Sequence, residues 1–302
     1  MFGDDYPRFI ELSDLTPKAQ PLYSRERHRG AIEQRNRMNE RYEAMIGSNR
    51  DILDGARVLD LASHDGRFSF GALKAGAAHV TGVEVRQSLV DRGYEAFAFY
   101  EQPPETYRFL CGDVFEVLSK EKFDVDVVLC FGFLYHTYRH TELMYRIHNL
   151  APRHMIVDTM VTRAKQQTLK VIYEEDVEDV RSAAQDAYSV GRVLVLRPSV
   201  LALEMLLSAY GFEIESMYDW KARLSGRPPV PGLEGYAQGK RVSVRCRSRE
   251  AALAAGWEPV APRRLAAGRR PPAQPARGWR QWVNTSLAKA TGYELRRASS
   301  KR

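Results

Sequence analysis

The chain of 302 residues has no apolar run long enough to cross a bilayer. Its first residues, Met-Phe-Gly-Asp-Asp-Tyr-Pro, lack the basic start and apolar core of a secretory signal. Both absences point to the cytoplasm. Cysteine is scarce: Cys111, Cys130 and Cys246 are an odd number without metal-ligand spacing. That argues against a disulfide framework and predicts reduced, structural thiols. No internal repeat is present. Acidic residues are nearly missing from one end, where residues 262–302 hold eleven Lys/Arg and a single acid. The formal net charge of +7 therefore belongs to this tail, and the preceding 261 residues sum to about −3. The body is not a uniformly basic nucleic-acid surface.

What is present is a regular alternation. Strands are predicted at 56–62, 78–84, 107–111, 125–131 and 153–159, and helices at 66–76, 87–100, 114–120 and 140–150. The compact apolar runs around Val127-Val128-Leu129 and Met155-Ile156-Val157 suit strands buried on both faces. Alternating βα units of this length imply an α/β fold with a doubly wound, mainly parallel sheet. A charged helix over 24–47, with Ile32, Met38, Tyr42, Met45 and Ile46 on one side, forms an N-terminal cap spanning 1–54. The main domain covers 55–248. Its rhythm breaks at 160–197, an insertion with strands at 168–174 and 192–197 around an acidic helical stretch, suited to a lid or an acceptor-binding element. A helix at 199–210 and strands at 212–219 and 240–246 complete the domain. Residues 249–278 form a linker rich in Pro and Arg. Residues 279–302 form a basic amphipathic helix with Trp279, Trp282, Val283 and Leu287 on one face.

The most informative segment is Arg57-Val58-Leu59-Asp60-Leu61-Ala62-Ser63-His64-Asp65-Gly66-Arg67-Phe68-Ser69. An apolar strand runs through a small-residue turn into a helix. The second strand, Val80-Thr81-Gly82-Val83, ends in Glu84, which can accept hydrogen bonds from ribose hydroxyls. Gly112-Asp113-Val114-Phe115 follows the third strand, where an acid can accept from an adenine amino group. An Asp-rich approach, Phe123-Asp124-Val125-Asp126, leads into the fourth. Asp60 has an alternative reading as a loop or helix anchor, Glu84 as a surface acid, and Asp113 as an N-cap.

In this order of turn and acids the chain resembles the class I S-adenosylmethionine-dependent methyltransferases, over residues 56–160 and more loosely 199–246. The resemblance implies a Rossmann-like seven-stranded sheet, closed by the antiparallel pair 212–219 and 240–246. It implies S-adenosylmethionine as cofactor, bound by Asp60, Ala62, His64, Gly66, Glu84, Asp113, Val114 and Phe131. The chain departs from the family at the turn: Ala62 and His64 stand where glycines are usual, and only Gly66 matches. No cation lies within 60–66, and Arg67 is assigned to the helix, which suits a sulfonium better than a dinucleotide phosphate.

Ligands of open α/β sheets bind beyond the carboxyl ends of the strands. The segment after strand four, Phe131-Gly132-Phe133-Leu134-Tyr135-His136-Thr137-Tyr138-Arg139-His140, is therefore the candidate transfer site. Methyl transfer to a hydroxyl needs alignment and a base, and histidine suits the base. His136 is the first candidate and His140 the second. His136 has the alternative of packing under the cofactor or capping the helix at 140–150, and Tyr135 that of an aromatic wall. Asp158, at the end of strand five, is a third catalytic candidate, to orient a histidine, bind the acceptor or hold a cation. No set of three or four ligands stands out, so no metal is expected. Tyr173, Glu174, Glu175, Tyr188 and Arg192 are candidates to line an acceptor pocket in the insertion.

Residues 128–136 and 197–212 are similar to segments of the tRNA wobble-uridine carboxymethyltransferases, whose carboxylated cofactor needs a cationic contact that the sequence does not locate. Residues 288–297 resemble endings of bacterial proteins of surface-polysaccharide assembly. The expected function is O-methylation of a saccharide, a glycolipid or a small hydroxylated metabolite. The alternatives are a tRNA-modifying enzyme, a small-molecule N- or C-methyltransferase, and a non-catalytic cofactor-binding module. The basic tail has anionic membrane surface or tRNA as its candidate partners.

Overall fold

The computed structural model describes residues 5–6, 8–11, 25–174, 182–186 and 188–254, all inside the unit Met1–Pro259. The acidic stretch after Glu174, Glu175 with it, and the basic helix expected at 279–302 lie outside these residues, as does most of the linker. A one-turn helix α1 (Arg8–Glu11) and a long helix α2 (Arg25–Met45) precede the short α3 (Arg50–Leu53). Strands and helices then alternate as β1 (Arg57–Leu61), α4 (Arg67–Lys74), β2 (His79–Glu84), α5 (Gln87–Phe99), β3 (Tyr107–Cys111), α6 (Val114–Lys120), β4 (Val127–Phe131), α7 (His140–Asn149) and β5 (His154–Met160). There follow β6 (Leu169–Glu174), β7 (Val193–Pro198), α8 (Val200–Ala209), β8 (Phe212–Met217), α9 (Trp220–Leu224), α10 (Glu234–Ala237), β9 (Arg241–Ser248) and α11 (Arg249–Ala254). No helix among the described residues is long and apolar enough to cross a membrane.

Seven strands form one sheet in the order β3-β2-β1-β4-β5-β9-β8. The first five are parallel, while β9 runs antiparallel to both β5 and β8. The sheet is the mainly parallel, doubly wound one the alternation predicts. Side chains along each strand alternate between two cores. Val58, Val80, Val127, Leu129 and Ile156 face a core with Met38, Phe70 and Phe97 from α2, α4 and α5. Leu59, Leu61, Val83, Val128, Cys130 and Val157 face the other, with Leu143 of α7 and Leu203 of α8. Burial on both faces explains why the central strands read as unbroken apolar runs. Strand β4 starts two residues later than the predicted 125, because the Asp126 carboxylate is drawn to the backbone and guanidinium of Arg57.

The strand order reverses between β1 and β4, and at that switch point the loops diverge and open a crevice. The helix α2 and the insertion wall it. Met38, Tyr42 and Met45 of α2 and Ile46 just after it are buried, as their spacing predicts, while the side chain of Ile32 lies outside the described ones. The polar face of α2 carries Glu40, which accepts from Arg223 and Arg227 beside α9. The insertion folds as an antiparallel hairpin, β6–β7, separate from the main sheet. It is tied to the segment after β4 by the Leu196 amide, which donates to the Thr137 carbonyl. Trp220 of α9 stacks on Tyr236 of α10, centroids 3.9 Å apart, and the Tyr236 hydroxyl donates to Asp158 behind the cavity.

Candidate active site

A cavity of about 320 Å³ lies at the carboxyl ends of β1, β2 and β4, within the range of small-ligand pockets. Asp60, Ala62, His64, Glu84, Asp113, Val114 and Phe131 all line it. The β1–α4 turn has a demanding backbone: Ala62 and His64 hold φ of 55° and 56°, and Gly66 holds 73°. These are left-handed conformations that favour glycine. The chain thus keeps the shape of a glycine-rich turn with two residues that strain to adopt it. Gly66 is not among the lining residues. A side chain there would meet the Phe109 ring at 2.5 Å, so it serves packing of α4 on the sheet.

Glu84 is buried, and its two carboxylate oxygens accept from the His64 and Arg86 amides, each at 3.0 Å. A carboxylate has about four acceptor positions, so about two remain for a diol. Asp113 caps α6 through Oδ1, which accepts from the Phe115 and Glu116 amides, and the residue lines the cavity. Asp60 accepts from the Ser69 hydroxyl at 2.7 Å, which anchors α4. Burial pushes its carboxyl up to about 7, against the Ser69 hydrogen bond and with the help of Glu84 and Asp65. A buried acid in that condition is relieved by a cation, and the ammonium of a bound methionine moiety is one.

Around His136 the structure supplies what a base requires. Its Nδ1 lies 3.1 Å from Glu174 Oε2, on the hairpin strand β6. That same oxygen accepts from the Ala183 amide at 2.7 Å. Burial opposes the charge on Glu174, but the bonds from His136 and Ala183 outweigh it and hold the carboxyl below its ordinary value. An ionised carboxylate only accepts, so Nδ1 carries a proton, and in the neutral ring the lone pair is then on Nε2. His136 lines the cavity, and the Tyr135 ring packs against it at 4.1 Å.

The other two catalytic candidates lie elsewhere. His140 is buried outside the cavity, its Nε2 bonded to the Leu134 carbonyl at 2.7 Å, and burial lowers its pKa. It secures the start of α7 and is not placed to take a substrate proton. Asp158 is fully buried and is not a lining residue. It orients arginines, not a histidine. It accepts from both Arg241 (Nε, 2.7 Å, and Nη2) and Arg41 (3.3 Å), and from Tyr236 (2.8 Å) and Ser243 (2.7 Å). Burial alone would raise its carboxyl, but the two guanidiniums hold it below the usual range.

Sequence reasoning missed the cations. Arg37, Arg41, Arg67 and Arg241 all line the cavity. Arg67 begins α4, yet its side chain turns back onto Asp65, with Nε 2.6 Å from Oδ1 and Nη2 on Oδ2. The available signal for the others was the spacing of Arg37 and Arg41, one turn apart on a helix. Like charges so placed are unfavourable unless something else takes the charge.

Residues 58–151 match the family model described as a methyltransferase domain. A curated relative is a Methanocaldococcus jannaschii protein provisionally assigned as a ribosomal RNA large subunit methyltransferase, 35% identical over 82 residues, or 26% of this chain. The chain spans 21% of that relative's length. Among solved structures, an S-adenosylmethionine-dependent methyltransferase of Mesorhizobium loti has a TM-score of 0.46 and 20% identity, covering 65% of this chain and 92% of its own. The magnesium protoporphyrin IX methyltransferase of Synechocystis, with bound S-adenosylhomocysteine, has a TM-score of 0.49 and 13% identity, covering 82% of this chain and 94% of its own. The chain has the seven-stranded, mainly parallel sheet of the Rossmann-like methyltransferase fold, and the matched residues 58–151 span β1 to α7 of it. Glu84, Asp113, Asp60 and the strained turn would suit the ribose, adenine and ammonium groups of S-adenosylmethionine, the cofactor that the sequence resemblance implies.

Proposed function

We propose that this chain transfers a methyl group from S-adenosylmethionine to a hydroxyl oxygen of a saccharide or small hydroxylated metabolite. The observation that carries the reading is His136 in the cavity wall, with Glu174 at its Nδ1. When bound, the cofactor supplies a methyl carbon activated by a sulfonium. The chain's own share is alignment and proton removal. His136 Nε2 would take the hydroxyl proton as that oxygen receives the methyl group the cofactor would supply. Glu174 steadies the imidazolium that results. The test is labelled methyl transfer to a cell extract divided into glycan, lipid, small-molecule and RNA fractions. Label in a hydroxyl-bearing glycan or metabolite fraction supports the reading; label confined to RNA overturns it.

An RNA acceptor is a second reading. It is favoured by the name of the archaeal relative and by the eleven basic residues of 262–302, which suit phosphate contacts. Removing 262–302 then reduces the salt dependence of RNA affinity. If the tail instead meets an anionic membrane, the same truncation releases the protein from anionic vesicles.

A further inference from the structure

Two tyrosines bond to the arginines that share Asp158, and they end differently. The Tyr236 hydroxyl accepts from Arg41 Nε at 3.1 Å and donates to Asp158 Oδ2 at 2.8 Å, so both of its functions are used. The Tyr135 hydroxyl accepts from Arg241 Nη1 at 3.3 Å, and Arg241 is held in place by Asp158. Among the described residues no acceptor takes the Tyr135 proton. The acids that line the cavity, Asp60, Glu84, Asp113 and Asp186, take hydrogen bonds from Ser69, Ser189 and backbone amides, and none from Tyr135. A phenol that accepts from a fixed guanidinium turns its own hydrogen away from it. Tyr135 lines the cavity, and so does Gly132. A side chain at Gly132 would begin 3.9 Å from the Tyr135 oxygen, and its absence leaves that approach clear.

We infer that the Tyr135 hydroxyl donates to an acceptor oxygen next to the one that is methylated, and so selects acceptors with oxygens on adjacent carbons, as in the vicinal diol of a sugar. This rests on the methyl-transfer reading and narrows its substrate class. Tyr135 and His136 stand side by side, ring centroids 4.1 Å apart. Their polar ends fall within the reach of two hydrogen bonds and the oxygen spacing between them. The reacting oxygen gives its proton to His136 Nε2 and directs a lone pair at the transferred methyl. A donor on that same oxygen would hold back the electrons the attack needs. A neighbouring oxygen carries no such demand, and its bond to Tyr135 fixes which hydroxyl meets the base.

The test uses the full chain and the product it labels in the cell extract. Mass spectrometry and NMR of that product are expected to show the new methoxy group beside a carbon that bears oxygen. A methoxy group with no oxygen on either adjacent carbon overturns the inference. The acceptor and its analogue with hydrogen in place of the neighbouring oxygen are then compared, by kcat/KM, in the parent and in Tyr135→Phe. Each change alone is expected to lower kcat/KM about tenfold or more, and the two together little more than one, since both remove the same hydrogen bond. Losses that multiply, or a Tyr135→Phe without effect, overturn the inference. The dissociation constant of S-adenosylhomocysteine, by calorimetry, is expected to stay within about twofold in Tyr135→Phe. A larger loss assigns the hydroxyl to the cofactor and overturns the inference. Phe keeps the ring against His136, Arg241 keeps its bonds to Asp158, and a thermal melt checks that the variant folds. Absence of label from every hydroxyl-bearing fraction, while S-adenosylhomocysteine still binds, overturns the methyl-transfer reading and this inference with it.

Discussion

Glu174 of the inserted hairpin meets His136 of the segment after β4, 38 residues away in sequence, with Oε2 and Nδ1 3.1 Å apart. The hairpin is thus not only a wall over the cavity. It fixes which nitrogen of the candidate base bears the proton. His136→Ala is expected to lower turnover about 100-fold or more while the dissociation constant of S-adenosylhomocysteine stays within about twofold. Glu174→Gln is expected to lower turnover less and to shift its pH profile, since the imidazolium loses its carboxylate. Steady-state kinetics with calorimetry separates the two, and an unchanged rate in His136→Ala removes it as the base.

Asp60 makes stability depend on pH. Its carboxyl is raised to about 7 in the folded chain, against about 4 when unfolded. Between these values the folded state holds the proton and the unfolded state releases it. Stability from this group is therefore present below pH 4, falls as pH rises toward 7, and is level above. Asp60→Asn removes the loss. Relative to the parent it is expected to gain about 1–3 kcal/mol at pH 8 compared with pH 4. Melting curves across that range check it, and a pH-independent difference between the two proteins rejects it.

The strained turn predicts an exception to a general rule. Replacing Ala by Gly in ordered backbone costs about 0.5–1 kcal/mol. At Ala62, where φ is 55°, relief of the left-handed strain of about 1–2 kcal/mol offsets that cost. Ala62→Gly is expected to leave the melting temperature unchanged or raise it. A fall of several degrees counts against the strain.

Asp158 is predicted to be a keystone of stability, not a participant in proton transfer. Asp158→Ala strands Arg241 and Arg41 in a low-dielectric wall and is expected to cost about 3–5 kcal/mol. Tyr236→Phe removes one of its four hydrogen-bonding side chains and is expected to cost about 1 kcal/mol. Denaturant titration distinguishes them. A small loss in Asp158→Ala, with the arginines otherwise satisfied, contradicts this role.

By itself the sequence determined the doubly wound fold, the β1–α4 turn and the acids at the strand ends. These are local facts: strand periodicity, apolar runs, Glu84 at the end of β2 and Asp113 just beyond β3. It also located the histidine segment, because residues following β4 must open at the carboxyl edge of a parallel sheet. It did not separate His136 from His140, which share a segment and differ only in direction: one faces the cavity and Glu174, the other a backbone carbonyl. Nor did it reveal the arginines. Arg41 reaches Asp158 across 117 residues and Arg241 across 83. Pairing of β4, β5 and β9, and the docking of α2 beside α9 and α10, bring them together. Side-chain periodicity tells which face a residue occupies, but not which distant residue shares that place. Only the tertiary structure decided that Arg41 and Arg241 converge on Asp158, because convergence of charges is a property of long-range packing.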